Sequence, residues 1–241
     1  CFSWMPIRII VRYPLALATL VIPLFANFGQ VLAQQSNSAS PRPVAQATRL
    51  SRPPRVDGNI SNDPAWVEII PNSKFTQVRP NEGQAATQPT DVYIGFDDEQ
   101  LYIGVMAHDE SPKSIIVSDS RRDSPLDDTD SFRIIIDGLL DRQNGYIFGT
   151  NPSGMEFDAQ VVNEGGSGGF GGRGGGTGGF NLNWDTTWEV EAQINDKGWS
   201  AEFAIPFVAL RYLGDASQTW GINFQRNIRR NNEESYWAPL D

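Results

Sequence analysis

The chain has 241 residues, a net charge of −10, one cysteine and one histidine. The negative charge excludes phosphate backbones and anionic lipid surfaces as partners. A single cysteine excludes a disulfide framework, and a single histidine excludes the usual zinc sites, which need three or four nitrogen or sulfur ligands.

Residues 1–33 read as a secretory signal peptide. Arg8 and Arg12 form a basic region after Met5, an apolar run extends from Tyr13 to Phe28, and a small-x-small site ends at Ala33. The run is short for a membrane anchor and is broken by Pro14 and Pro23. Residues 1–4 precede Met5 and read as untranslated. Export therefore rests on the leader, not on cysteine usage. Residues 34–48, rich in Gln, Ser, Pro and Ala, read as a flexible linker. Order is expected over 49–241 as one domain.

Pro54-Arg55-Val56-Asp57-Gly58 looks like a strand end entering a turn. In Asp63-Pro64-Ala65-Trp66 an N-cap precedes proline at the first helical position, which predicts a short helical turn. Asp91–His108 reads as a hairpin, with Val92, Ile94 and Phe96 alternating, Tyr102–Met106 returning, and Asp97-Asp98-Glu99-Gln100 connecting. Phe132–Asp137 and Tyr146–Thr150 form the next pair, joined through a turn ending in Asn144-Gly145. Met155, Phe157, Ala159 and Val161 mark a further strand. Residues 165–179, mostly glycine, read as a surface loop, because no Gly-Lys-Ser/Thr follows to make a phosphate cradle.

Three alternating segments follow. Trp188, Val190, Ala192 and Ile194 alternate with Glu189, Glu191 and Gln193; Trp199, Ala201, Phe203 and Ile205 with Ser200 and Glu202; Trp220, Ile222, Phe224 and Ile228 with Gly221, Asn223, Gln225 and Asn227. Such a period of two predicts half-buried strands with one face in water. Pro206 ends one strand, and Phe207–Leu213 is expected to form a brief helix. The pattern predicts an all-β, antiparallel, jelly-roll-like β-sandwich with one or two short helical turns. Function then lies on sheet faces and loops, not in a nucleotide cleft.

Asp123, Asp127, Asp128 and Asp130 cluster ahead of a predicted strand. Loop carboxylates suit a hard cation such as calcium, yet the spacing is not that of the helix–loop–helix calcium motif, and a solvated acidic loop is the other reading. Asp97, Asp98 and Glu99 read as turn formers. No Gly-x-Ser-x-Gly elbow accompanies His108. Paired carboxylates for glycoside cleavage are too numerous to choose among. Arg226, Arg229 and Arg230 are expected to pair with Asp127–Asp130 or with Glu233 and Glu234. Trp188, Trp199 and Trp220 carry core parity. Trp184 and Trp237 fall at strand edges or loops, and Asn231, Asn232, Glu233, Glu234 and Trp237 form either a sugar platform or a cluster closing the sandwich end.

Taken in order, these segments resemble the family 9 carbohydrate-binding-module-like domain, in the version that precedes a predicted outer-membrane β-barrel in large exported bacterial proteins. The matching residues run from Pro54-Arg55-Val56-Asp57-Gly58 and Asp63-Pro64-Ala65-Trp66 through Phe96–Ile103, Asp128-Thr129-Asp130-Ser131-Phe132 and Asn151-Pro152-Ser153-Gly154. They end with Trp184-Asp185, Gly198-Trp199 and Trp220-Gly221-Ile222-Asn223-Phe224. The resemblance implies a β-sandwich, a structural calcium in some members, and glycan recognition by an aromatic clamp. Where sugar-binding members place one clamp aromatic, this chain reads Ser124-Pro125-Leu126; only Trp237 matches a jaw.

The resulting expectation is a non-catalytic carbohydrate-binding module, exported to the periplasm or outer membrane of a Gram-negative bacterium and linked to carbohydrate catabolism. Trp237 and Trp184 would stack on a glycan, Asn231 and Glu234 would bond its hydroxyls, and Asp127, Asp128 and Asp130 would hold structural Ca2+. A downstream β-barrel would complete the protein. The alternatives are a periplasmic gating domain without sugar ligand, a haem-binding redox domain using Met106 or His108, and a glycoside hydrolase by family association.

Overall fold

A computed structural model describes residues 43–162, 179–214 and 217–238. The leader, most of the linker and nearly all of the glycine-rich stretch lie outside the described residues. Two sheets pack face to face. The strands are β1 (Thr48–Arg49), β2 (Thr76–Arg79), β3 (Thr90–Phe96), β4 (Gln100–His108), β5 (Ser131–Asp137), β6 (Gly145–Thr150), β7 (Phe157–Val162), β8 (Gly179–Asn181), β9 (Glu189–Asn195), β10 (Gly198–Pro206), β11 (Gly221–Ile228) and β12 (Glu233–Tyr236). The first sheet has the order β1-β3-β4-β10-β9 and the second β2-β12-β11-β5-β6-β7-β8. Pairing is antiparallel throughout, apart from the parallel β1–β3 contact. The expected helix after Pro206 is only a 3-10 turn over Phe207–Ala209, closed by the Leu210 N–H on the Phe207 carbonyl at 3.1 Å. The Asp63 cap is present, with its Oδ1 accepting the Ala65 N–H at 2.8 Å, and it holds a single turn.

Alternation sets the inner faces. Val92, Ile94, Ile103, Val105, Phe132, Ile134, Phe148, Trp199, Phe203 and Phe224 are buried in one cluster between the sheets. The Trp188 ring stacks on Phe203 with centroids 5.8 Å apart, and Phe148 meets Trp188 edge-on at 5.2 Å. Each such aromatic pair contributes about 0.5–1.5 kcal/mol beyond its buried area.

The outer faces depart from the expected contact with water. Ser200 and Glu202 are 1% and 0% exposed. The cause is the segment after β1, whose Ile60, Trp66 and Ile69 pack over Tyr102, Met106 and Ala204 on the outer face of the first sheet. Glu202 accepts hydrogen bonds from Trp66 Nε1 at 2.7 Å and from the N–H groups of Asp57 at 3.0 Å and Gly58 at 2.9 Å. Burial outweighs these donors and pushes its carboxyl above the usual range. Gly58 sits at φ +79°, where a Cβ would lie 2.8 Å from the Ala192 carbonyl carbon, so both conformation and space require glycine. The outer face of the second sheet is closed as well, with Ile135, Ile147, Phe157 and Val161 buried together. Ile194, expected inside, is 49% exposed on edge strand β9. Ala45 and Ala47, at the end of the expected linker, belong to the inner core.

At one end of the sandwich a buried ionic network ties the sheets together. Arg226 is 0% exposed. Its Nη1 donates to the Pro89 carbonyl at 2.7 Å and to Thr90 Oγ1 at 2.9 Å, and its Nη2 to the His108 carbonyl at 2.6 Å. Arg230 pairs with Asp109, while Asp130 and Glu233 act on Arg226 through space. Burial lowers the Arg226 pKa to about 10, against the pull of these carboxylates. The arginine stripe is thus paired internally, but only Arg229, 3.7 Å from Asp128, meets an expected partner; Arg230 pairs with Asp109 and Arg226 bonds carbonyls and a hydroxyl.

Candidate functional site

The residues expected to form one sugar platform do not come together as one. The Trp237 ring packs on Phe224 at 5.6 Å and only 6% of the residue is exposed, so the indole belongs to the core and offers no free face; its backbone N–H donates to the Phe224 carbonyl at 3.0 Å. Glu234 is committed to protein partners: it binds Arg79 and accepts from Gln225 Nε2 at 2.7 Å and Tyr236 Oη at 2.8 Å. Asn231 is exposed and donates to Thr87 Oγ1 at 3.3 Å. Trp184 lies elsewhere, partly buried against Tyr146 at 4.9 Å and Phe148 at 6.0 Å on β6.

The acidic loop does not fit calcium. Asp127 accepts from Arg133 at 2.6 Å, Asp128 lies 3.7 Å from Arg229, and Asp130 accepts the Ile116 N–H at 2.6 Å. The nearby carbonyls that a cation would need are taken by donors, Leu126 by Ser131 Oγ and Thr129 by Asn227 Nδ2. Asp130 also faces the charges of Arg226 and Arg230, although burial dominates and raises its pKa. Among the described residues no group of three or more His, Cys, Asp or Glu side chains is arranged to hold a metal ion. Met106 is buried in the same apolar cluster as Trp66, and His108 Nε2 engages Asp91 at 2.9 Å. Ser73 Oγ donates to the same carboxylate, so Ser73, Asp91 and His108 do not make a nucleophilic relay.

A polar pocket of about 510 Å³ is lined by Arg122, Glu156, Asp185, Thr186, Thr187 and Trp188. The turn before the acidic loop supplies Arg122, the approach to β7 supplies Glu156, and the segment leading into β9 supplies the rest. Arg122 is the hub. It binds Glu156, donates to Asp158 at 2.8 Å and Asp185 at 2.6 Å, and approaches Asp123 at 3.7 Å. Asp158, with a side chain 1% exposed, also accepts the Thr186 N–H at 3.0 Å. Burial pushes its pKa up, while Thr186, Arg122 and the Trp188 indole oppose that shift. Asp185, at 74% side-chain exposure, stands at the mouth; the residue before it, Trp184, is part-exposed and packs on Tyr146 and Phe148. A fan of charged donors and acceptors open to solvent is chemistry suited to a polyhydroxylated ligand.

Arg122, Glu156, Asp158 and Asp185 escaped notice as site residues because no local motif contains them. Only Trp184-Asp185 carried a signal, through the family resemblance. A second groove, of about 1000 Å³, lies by the 3-10 turn after β10 and is lined by Phe207, Tyr212, Arg211, Asp98 and Glu99 among others.

No family model and no curated sequence relative matches the chain. Among solved structures it is similar to a family 9 carbohydrate-binding module from Caldicellulosiruptor kristjanssonii in complex with glucose, with a TM-score of 0.52, 14% identity and coverage of 80% of this chain and 89% of that one. A family 9 module from the same organism in complex with cellotriose gives a TM-score of 0.51 at 14% identity, over 80% of this chain and 87% of that one. At this identity the likeness establishes a shared β-sandwich fold.

Proposed function

We propose that the chain is a non-catalytic carbohydrate-binding domain whose glycan site is the Arg122 pocket. The observation that carries this reading is the convergence of Glu156, Asp158 and Asp185 on Arg122 in an open polar pocket, on a fold shared with modules solved with glucose and cellotriose. A pyranose would lay its C–H face on the Trp184 indole. Asp185 and Glu156 would accept from its hydroxyls and Arg122 would donate to them. The leader over 1–33 supports export to the periplasm or outer membrane, where such a domain would hold glycan for a downstream barrel.

Calorimetric titration of glucose- and glucosamine-based oligosaccharides against the full chain tests this reading. Binding that is lost in Trp184→Ala and Asp185→Ala, both still folded by circular dichroism, supports it. Wild-type affinity in both variants removes the pocket from the site, and no binding of any oligosaccharide removes the function.

A further inference from the structure

The groove beside the 3-10 turn shares no lining residue with the Arg122 pocket. At about 1000 Å³ it stands at the upper end of the range of ligand sites, roughly 300–1,000 Å³, and has room for more than one sugar ring. Its wall is aromatic and reaches solvent. Tyr212 is 38% exposed, and Trp220, which it contacts at 5.3 Å, is 4% exposed. Phe207 meets both rings near edge-on, 6.2 Å from Tyr212 and 5.9 Å from Trp220. Trp220 is anchored in turn, its Nε1–H donating to Gln218 Oε1 at 3.2 Å. Mutual contact of three rings holds Tyr212 in place before any ligand arrives, which lowers the ordering cost of binding. Phe207 and Tyr212 both line the groove and cross at 70°, so they form a corner and not a flat patch.

The backbone builds this corner from two distant segments. The Phe207 N–H donates to the Glu99 carbonyl at 2.9 Å, which ties the tip of the β3–β4 hairpin to the turn. Gly138, just after β5, leaves the space that residues 211 and 212 occupy. A Cβ there would overlap the Arg211 carbonyl oxygen and lie 3.2 Å from Tyr212 Cβ.

The polar groups of the groove supply an independent observation. Its charged side chains are Asp98, Glu99 and Arg211. Asp98 is neutralised by Arg49 at 2.6 Å. Among the described residues no hydrogen bond or ion pair engages the side chains of Glu99 and Arg211 or the Tyr212 hydroxyl. One uncommitted carboxylate and one uncommitted guanidinium leave the groove without net charge, yet with acceptors and donors at its rim. A cationic ligand would meet Arg211 and an anionic one Glu99. An exposed ring with free acceptors and donors beside it fits the C–H face and hydroxyls of a neutral sugar. We infer that this groove is a second glycan site that takes a neutral pyranose chain, with Tyr212 as the stacking platform and Glu99 and Arg211 as hydroxyl partners. The inference shares its ligand class with the carbohydrate-binding reading above but rests on different residues. Two sites on one domain would hold a polymer more tightly than either alone, because the second contact is made at high effective concentration.

The test is NMR on the full chain during titration with neutral β-1,4-linked hexaoses of glucose, mannose and xylose. The backbone amides of Val208, Arg211 and Tyr212 report on the groove, and those of Thr186 and Thr187 on the Arg122 pocket. With at least one hexaose the groove amides are expected to shift and to saturate at a concentration on the order of 1 mM, as suits an open site with one platform ring. Tyr212→Ala abolishes the groove shifts and leaves those of Thr186 and Thr187, whereas Tyr212→Phe keeps the platform and binds within about threefold of wild type. Glu99→Gln and Arg211→Met, both at the surface, each weaken groove binding about two- to tenfold. Asp185→Ala leaves the groove shifts as they were. Groove amides that stay still with every hexaose while Thr186 and Thr187 shift overturn the second site and leave the Arg122 reading standing. Groove shifts that survive unchanged in Tyr212→Ala overturn it too. A dipeptide with free ends that shifts the groove amides where no hexaose does overturns the glycan class, since Glu99 and Arg211 then serve opposite charges. Stillness at both places overturns both readings.

Discussion

Replacing Arg226 probes the network that ties the two sheets. The guanidinium is fully buried and bridges β11 to the segment before β3, to β3 itself and to the end of β4, through the Pro89 carbonyl, Thr90 Oγ1 and the His108 carbonyl. Arg226→Met keeps much of the apolar stem and removes every donor. Two carbonyls lose a strong donor, and the buried carboxylates of Asp130 and Glu233 lose a compensating charge. Breaking a buried charged partner in this way costs about 3–5 kcal/mol. For a domain of this size, about 2–4 °C of melting temperature accompanies each kcal/mol, so a fall of about 6–20 °C is expected. Arg226→Ala should lose somewhat more, because the stem packing goes as well. Differential scanning calorimetry, with urea unfolding as a check, reads the effect. An Arg226→Met protein within about 1 kcal/mol of wild type would refute the reasoning, since it would show that the acceptors find water or relax without penalty.

Three further outcomes follow from the same structure. Trp237→Ala, which empties a core position beside Phe224, should cost about 3–5 kcal/mol in urea unfolding; a neutral result would place that indole at the surface after all. Gly58→Ala should lower stability by about 1–2 kcal/mol from the left-handed backbone alone, with more from contact with Ala192, and an unchanged urea midpoint would contradict the geometry. The Glu202 carboxyl is raised in the native state, which therefore keeps its proton to higher pH than the unfolded chain does. Its contribution to stability is greatest below the ordinary glutamate value and falls as pH rises through the elevated native one. Glu202→Gln removes that dependence, so its deficit relative to wild type should shrink between about pH 4 and about pH 7; a deficit that widens would reverse the sign of the shift.

Much of the architecture is legible in the residue order. Strand parity follows from side chains alternating across a pleat, so Trp188, Trp199, Phe203 and Phe224 could be assigned inward from local pattern alone. The Asn144-Gly145 turn is equally local, with Asp141 Oδ1 accepting the N–H groups of Gln143 and Asn144 at 2.8 Å. The same rule misled where a second layer intervened. Polar residues at outward parity, such as Ser200 and Glu202, look the same in sequence whether they meet water or a covering segment, and here residues more than a hundred positions earlier cover them.

Charge and periodicity therefore fixed from the chain alone that this is an acidic β-sandwich with its large aromatics turned inward, because those properties depend on neighbours one to a few residues apart. Which polar groups meet was decided by tertiary structure. Arg122 reaches Glu156, Asp158 and Asp185 across 34, 36 and 63 positions, and Arg226 reaches the His108 carbonyl across 118. Contacts at such separations exist only once strands from distant parts of the chain have paired, so the pocket and the ionic clamp have no local signature.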